Sequence, residues 1–170
     1  SVNWAMINNH LNICLMGPAG VGKTESAKRI SQVFALCGLL MTTERNREPF
    51  TRSDFVGQYL GQSGPKTRAL MEKYYEGVIF LDEAYELTKK DSSGNWDAYG
   101  NEVVVTILDF LTKNKGRVCF IVGGYQEPIQ SNFFGSNEGL TRRFPKQVVL
   151  PSYSPAELLK ILTIMANNTY

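Results

Sequence analysis

Three continuous apolar runs and one mixed run, separated by stretches of helical period, organise this chain. Residues 11–16, 78–82 and 117–123 read as short strands, and residues 146–150 as a last one. The first three are apolar without alternation, the pattern of strands buried on both faces of a parallel sheet. A shorter strand is expected at residues 49–52. Between the strands lie predicted helices. One covers residues 25–35. A second is opened by Pro65 as a first-turn residue and closed by Gly77. A third covers residues 101–113, with Val104, Ile107, Leu108 and Leu111 on one face. Residues 127–134 form a short helix. Ser154-Pro155-Ala156-Glu157 is a capping box that starts a final one. Residues 39–48 lack a clear period, residues 53–64 form a glycine-containing loop, and residues 89–99 form a polar surface loop. Strands alternating with helices predict an α/β fold whose parallel sheet is covered on both faces. No repeat or low-complexity segment interrupts it, and a domain boundary is expected at residues 151–154.

Composition narrows the function classes. The 170 residues are 43% hydrophobic and 20% charged, enough for one domain with a proper core. The net charge is +2 with no basic block, which gives no support for nucleic acid as the main partner. The absence of an apolar run near 18 residues or a signal peptide predicts a soluble protein with no membrane partner. The expected location is the cytoplasm or another reducing intracellular compartment, a plastid included. Cys14, Cys37 and Cys119 are scattered, and Cys14 and Cys119 fall in predicted strands, as reduced buried residues would. His10 is the single histidine, so a transition-metal site is not expected. The start at Ser1 and the end at Tyr170 suggest an excised domain.

Gly17-Pro18-Ala19-Gly20-Val21-Gly22-Lys23-Thr24 fills every fixed position of the phosphate-binding pattern G-x-x-x-x-G-K-[ST]. A predicted strand precedes it and a predicted helix follows it. In that setting the loop's N–H groups and the helix N-terminus cradle anionic oxygen. Lys23 is expected to reach the β- and γ-phosphates of ATP, and the Thr24 hydroxyl to hold Mg²⁺.

The strand at residues 78–82 ends in Asp82-Glu83, 59 positions after Lys23. Ligands bind outside the carboxyl ends of parallel strands, so both acids are expected on the nucleotide rim. Asp82 reads as the Mg²⁺ carboxylate, and Glu83 as the general base that polarises the attacking water. An acidic pair alone could equally cap a helix or strand end; with the phosphate loop it reads as catalytic.

These pieces, in this order, resemble the AAA+ ATPases, and among them the CbbX and SpoVK-like group that includes the red-type Rubisco activases. The likeness is carried by Thr51-Arg52-Ser53-Asp54-Phe55-Val56-Gly57-Gln58-Tyr59-Leu60-Gly61, by Pro65-Lys66-Thr67 and by Val78-Ile79-Phe80-Leu81-Asp82-Glu83-Ala84-Tyr85. Tyr99-Gly100-Asn101-Glu102, Val122-Gly123-Gly124-Tyr125 and the segment from Ser136 to Phe144 add to it.

The resemblance implies a P-loop NTPase three-layer sandwich with a five-stranded sheet of order 5-1-4-3-2. Residues 1–151 would be the large ATPase subdomain, and residues 152–170 the first helix of a truncated lid. It also implies a homo-oligomeric ring, usually a hexamer, that binds ATP between subunits and acts on a protein client. Tyr59, Leu60 and Gly61 would then form a pore loop, although Tyr59 could instead pack on the helix after Pro65. Arg143 would be the arginine finger that reaches a neighbour's nucleotide, with Arg142 beside it; the alternative is a pair of surface arginines. The sequence departs from the pattern in having Thr141 where relatives carry a first arginine, and Gly123-Gly124-Tyr125 where they carry a polar sensor. Two rival readings stay open. One is a nucleic-acid motor or loader of the same superfamily, supported by Arg52, Lys66 and Arg68 near the loop. The other is a scaffold that uses ATP only to assemble.

Overall fold

A strand apolar on both faces must be covered on both. In the computed structural model, which describes residues 11–40 and 48–167, β1 (Ile13–Met16), β2 (Val78–Leu81) and β3 (Cys119–Gly124) are buried throughout apart from half-buried Val78. With β4 (Lys146–Val149) they form a parallel sheet of order β2-β3-β1-β4. Ile13 lies opposite Ile121 on one side and Lys146 on the other, and Val78 lies opposite Cys119.

Alternation along the strands then feeds two apolar layers. Cys14, Met16, Ile79, Leu81, Phe120 and Val122 pack with Met71, Ile107, Leu111 and Phe144. Ile13, Leu15, Phe80, Cys119 and Ile121 pack with Ala27, Ile30 and Phe34 on the opposite face. The helices that close these layers are α1 (Lys23–Leu36), α2 (Arg52–Phe55), α3 (Ser63–Lys73), α4 (Ala98–Lys113) and α6 (Glu138–Arg143). A 3₁₀ turn, Ala84–Thr88, follows β2. The short α5 (Gln126–Pro128) runs straight into a π-helical turn, Ile129–Phe134. The last helix, α7 (Pro155–Asn167), buries none of its residues.

Buried Asn12 ties the layers together. Its Nδ2 donates to the Arg143 carbonyl at 2.9 Å, and its Oδ1 accepts from the Phe120 N–H at 2.9 Å. Both halves of the amide are thereby satisfied inside the core. Cys14 and Cys119 are buried free thiols, and burial pushes the Cys14 thiol up to about 12, far from reactivity. Among the described residues, no helix is long and apolar enough to cross a membrane.

The structure corrects several boundaries. The strand expected at residues 49–52 is a single bridge: the Phe50 N–H donates to the Phe80 carbonyl at 2.7 Å, and the Asp82 N–H to the Phe50 carbonyl at 3.0 Å. Pairing stops there because Thr51 caps α2, its N–H donating to the Asp54 carboxylate at 2.9 Å. α3 starts at Ser63, two residues before Pro65, and ends at Lys73, short of Gly77. α4 starts at Ala98, not at residue 101, because the Asp97 carboxylate accepts from the N–H groups of Tyr99 and Gly100. β4 is exposed along its length. Of the aperiodic stretch at residues 39–48, positions 41–47 lie outside the described residues, as does His10.

Candidate functional site

The phosphate loop leaves β1 and enters α1 with no spare residue. Its first N–H, on Gly17, donates to the Gly124 carbonyl at 3.1 Å, so the loop is tied to the end of β3. The Tyr153 hydroxyl donates to the Val21 carbonyl at 3.0 Å from the segment before α7. Gly22 caps α1 in the left-handed region (φ 88°, ψ 23°), a conformation that costs a side-chain-bearing residue about 1–2 kcal/mol. Lys23 is folded back over the loop. Its Nζ donates to the carbonyls of Gly17 at 3.0 Å and Pro18 at 2.8 Å and lies 5.6 Å from the centroid of the Tyr125 ring.

A cavity of about 420 Å³ opens at this point, lined by Gly20, Lys23, Thr24, Asp82, Glu83 and Tyr125, among others. β3 separates β1 from β2 in the sheet, so the loops after β1 and β2 meet across its end. The structure thus brings Lys23, Thr24, Asp82 and Glu83 to one concave surface. Thr24 and Asp82 offer hard oxygen donors suited to Mg²⁺, a fit that rests on donor chemistry. A second cleft of about 920 Å³ lies along the other side of the two acids, lined by Arg52, Lys66, Asp82, Glu83 and Glu86, among others.

Glu83 has an unusual backbone. At φ 49° and ψ 47° it is left-handed without being glycine, and it caps the 3₁₀ turn. Its N–H donates to Asp82 Oδ1 at 3.0 Å. Tyr85 lies in the same turn. Burial, then the negative charge of Glu83, push its phenol up to about 12. Tyr85 carried no role in the sequence reading; its place two positions after the candidate base was the available signal.

The remaining sequence-predicted residues lie elsewhere. Arg143 does not line the cavity. It ends α6, where its Nε and Nη2 donate to the Thr112 hydroxyl at 3.2 Å and 2.7 Å. Arg142 beside it is exposed. Tyr59 and Leu60 project from their turn with 62% and 65% of their surface exposed, so Tyr59 is not packed away.

The base of this turn is held by a residue that the sequence analysis named in a motif but gave no role. Glu102 of α4 accepts from the N–H of Gly64 at 2.8 Å through Oε1, and from that of Gly61 at 3.3 Å through Oε2. One of these amides belongs to the first turn of α3, which lacks intrahelical acceptors. Glu102→Ala is expected to speed amide hydrogen exchange at Gly61 and Gly64 about tenfold, the size of one hydrogen bond to a charged group, while leaving α4 protected. Unchanged exchange would mean that other groups hold the turn.

The three basic side chains near the turn are already engaged. Arg52 pairs with Asp97 and donates to the Glu86 carbonyl at 2.9 Å. Lys66 donates to the carbonyls of Ser53 at 2.7 Å and Val56 at 2.8 Å, and Arg68 pairs with Asp109 at 2.9 Å.

Comparison with known proteins gives both a likeness of fold and a family. A chain from a solved structure titled "Structure of E. coli MS115-1 HORMA:CdnC:Trip13 complex" superposes with a TM-score of 0.63 over 88% of this chain and 51% of that one, at 13% identity, a likeness of fold alone. The ESX-2 secretion system protein EccA2 of Mycobacterium tuberculosis is 38% identical over 153 residues, 90% of this chain and 24% of the relative. The ESX-3 secretion system protein EccA3 of Mycolicibacterium smegmatis is 35% identical, covering 95% and 25%. A "Protein CfxQ homolog" of Trieres chinensis is 34% identical, covering 91% and 51%. The chain therefore spans between a quarter and a half of the length of these relatives. Residues 13–151 match the family described as "ATPase family associated with various cellular activities (AAA)". That match covers most of the chain, and the chain belongs to the AAA ATPase family.

Proposed function

We propose that this chain is the motor domain of an AAA+ ATPase of the CbbX and SpoVK-like group, which hydrolyses Mg–ATP between subunits of a ring and uses the cycle to remodel or thread protein clients. The observation that carries the proposal is the convergence of Lys23, Thr24, Asp82 and Glu83 on one cavity of about 420 Å³.

In this reading the loop N–H groups and the N-terminus of α1 receive the phosphate oxygens. Lys23 leaves the Gly17 and Pro18 carbonyls and moves onto the β- and γ-phosphates. Thr24 and Asp82 would hold Mg²⁺, which when bound neutralises charge on the phosphates. Glu83 takes a proton from the water that attacks the γ-phosphorus as the bond to the β-phosphate oxygen breaks, giving ADP and phosphate. Arg143 of a neighbouring protomer would stabilise the charge on the transferring group. The 920 Å³ cleft leaves room to approach Glu83 from that side.

The exposed Tyr59–Leu60 tip supports a client-gripping pore turn. The names of the secretion-system relatives also favour a protein-directed role. The existing partners of Arg52, Lys66 and Arg68 weigh against a nucleic-acid track, which needs free cations. The five-strand order 5-1-4-3-2 and the boundary near residue 151 belong to the same proposal. Support comes from the Phe50 bridge beside Leu81, and from α7, whose Leu158, Leu159, Leu162, Ile164 and Met165 are all more than half exposed.

Lys23→Ala in the full-length protein tests the site. Losing a charge-assisted contact of about 1.5–3 kcal/mol should weaken ATP binding by about 10- to 100-fold and abolish turnover, read by nucleotide titration and phosphate release. Wild-type ATP affinity would remove the phosphate loop from the mechanism.

A further inference from the structure

An arginine side chain is long and freely rotating, so one that must meet a neighbour's nucleotide needs its guanidinium held in a set direction. In Arg143 both ends are held. At the backbone, its carbonyl accepts from Asn12 Nδ2 at 2.9 Å, and the next residue, Phe144, is fully buried against Phe120 and Phe133. At the tip, Nε and Nη2 both donate to the Thr112 hydroxyl oxygen, at 3.2 Å and 2.7 Å.

The Thr112 hydroxyl is itself oriented. Its proton goes to the Leu108 carbonyl, 2.6 Å away within α4, so its lone pairs are left for Arg143. Leu108 in turn faces α6 across a glycine. A Cβ built at Gly139 would lie 3.2 Å from Leu108 Cδ1, so the absent side chain lets the two helices close up. The last residue of α6 is thereby brought within reach of the threonine.

Nε and Nη2 share one edge of the guanidinium. With that edge on Thr112, the end formed by Nη1 and Nη2 still has N–H groups to offer, a fork that can grip two oxygens of a phosphate. The partner is also neutral. A carboxylate would offset the positive charge and would have to be displaced by an incoming phosphate, whereas a hydroxyl directs the cation and leaves its charge intact. Arg52 and Arg68, by contrast, are paired with Asp97 and Asp109.

We propose that Thr112 is a positioning residue for hydrolysis: its hydroxyl turns the Arg143 guanidinium end-on toward the nucleotide of the adjoining protomer. This rests on Arg143 being the arginine finger, as proposed above.

The test uses the full-length protein with Thr112→Val, Thr112→Ser and Arg143→Ala. Valine keeps the shape of threonine and loses the acceptor; serine keeps the acceptor. Thr112→Val should lower kcat about tenfold, the size of one hydrogen bond to a charged group, with ATP affinity and melting temperature at wild-type values. Thr112→Ser should return kcat to within about twofold of wild type. On the Arg143→Ala background, Thr112→Val should cost less than about twofold more, because the two groups act as a unit. Wild-type kcat in Thr112→Val beside an impaired Arg143→Ala would overturn the role of Thr112 and leave the finger standing. So would a loss that serine does not restore, or one that recurs in full on the Arg143→Ala background. A loss matched by weaker ATP binding or a lower melting temperature would also overturn it, by assigning the hydroxyl to binding or folding. Wild-type turnover in Arg143→Ala would remove the finger and its positioning residue together.

Discussion

Glu83→Gln in the full-length protein is expected to bind ATP as tightly as the wild type and to hydrolyse it at least about a hundredfold more slowly. The side chains match in size, and the backbone N–H of residue 83 keeps its bond to Asp82 Oδ1, so the turn at Ala84–Thr88 has no reason to move. What disappears is the capacity to take a proton. Lys23, Thr24 and Asp82, the side chains assigned to the nucleotide, are untouched. Phosphate release measures the loss of turnover, and titration with a fluorescent ATP analogue measures the retained affinity. Equal turnover would show that another group activates the water. A matching loss of affinity would show that Glu83 helps to shape the binding site.

Gly100→Ala should be among the most damaging small changes to the fold. A Cβ built at Gly100 falls 1.6 Å from the Leu87 carbonyl oxygen and 2.7 Å from its carbon, both backbone atoms. No rotamer change can relieve this, so α4 or the 3₁₀ turn must move. Alanine is the better helix former by about 1 kcal/mol, which sets the gain against the clash. Displacing α4 disturbs Val103, Val104, Ile107, Phe110 and Leu111, all buried, and overpacking of this kind costs about 1–3 kcal/mol or more. The clash wins. A net loss of about 2 kcal/mol corresponds to a fall of about 4–8 °C in melting temperature for a domain of this size, read by thermal unfolding of the purified chain. An unchanged melting temperature would mean that the two backbones are further apart in solution. This contact gives a physical reason for glycine in the Tyr99-Gly100-Asn101-Glu102 motif, and the Glu102 bonds give one for its last position.

Sequence reasoning reached furthest where a single local pattern dictates the outcome. Residues 13–16, 78–81 and 119–122 are apolar on both faces and could only be strands covered on both sides. The loop from Gly17 to Thr24 carries its own geometry in its glycines, and the acids follow directly from the end of β2. It failed where distant groups decide. Nothing near Pro65 reveals that α3 begins at Ser63, because the Ser63 hydroxyl accepts from Gly57 and the Gly64 amide is satisfied by Glu102, 38 residues away. The strand expected at residues 49–52 shrinks to Phe50 because Thr51 and Asp54 close a capping box one residue later. That box can be read in the sequence once it is looked for. The π-helical turn at Ile129–Phe134 answers to packing of Phe133 and Phe134 against Phe144, with ring centroids 5.9 Å and 6.4 Å apart. No local period announces it.

Helix α4 is anchored near both ends to groups of quite different kinds. Near its start, Glu102 grips the amides beneath the aromatic tip; near its finish, Thr112 seats Arg143. Ten residues of helix, about 15 Å of stiff rod, join the two anchorages. A stiff rod moves as one piece, so a shift of this helix along its axis would displace both anchorages together.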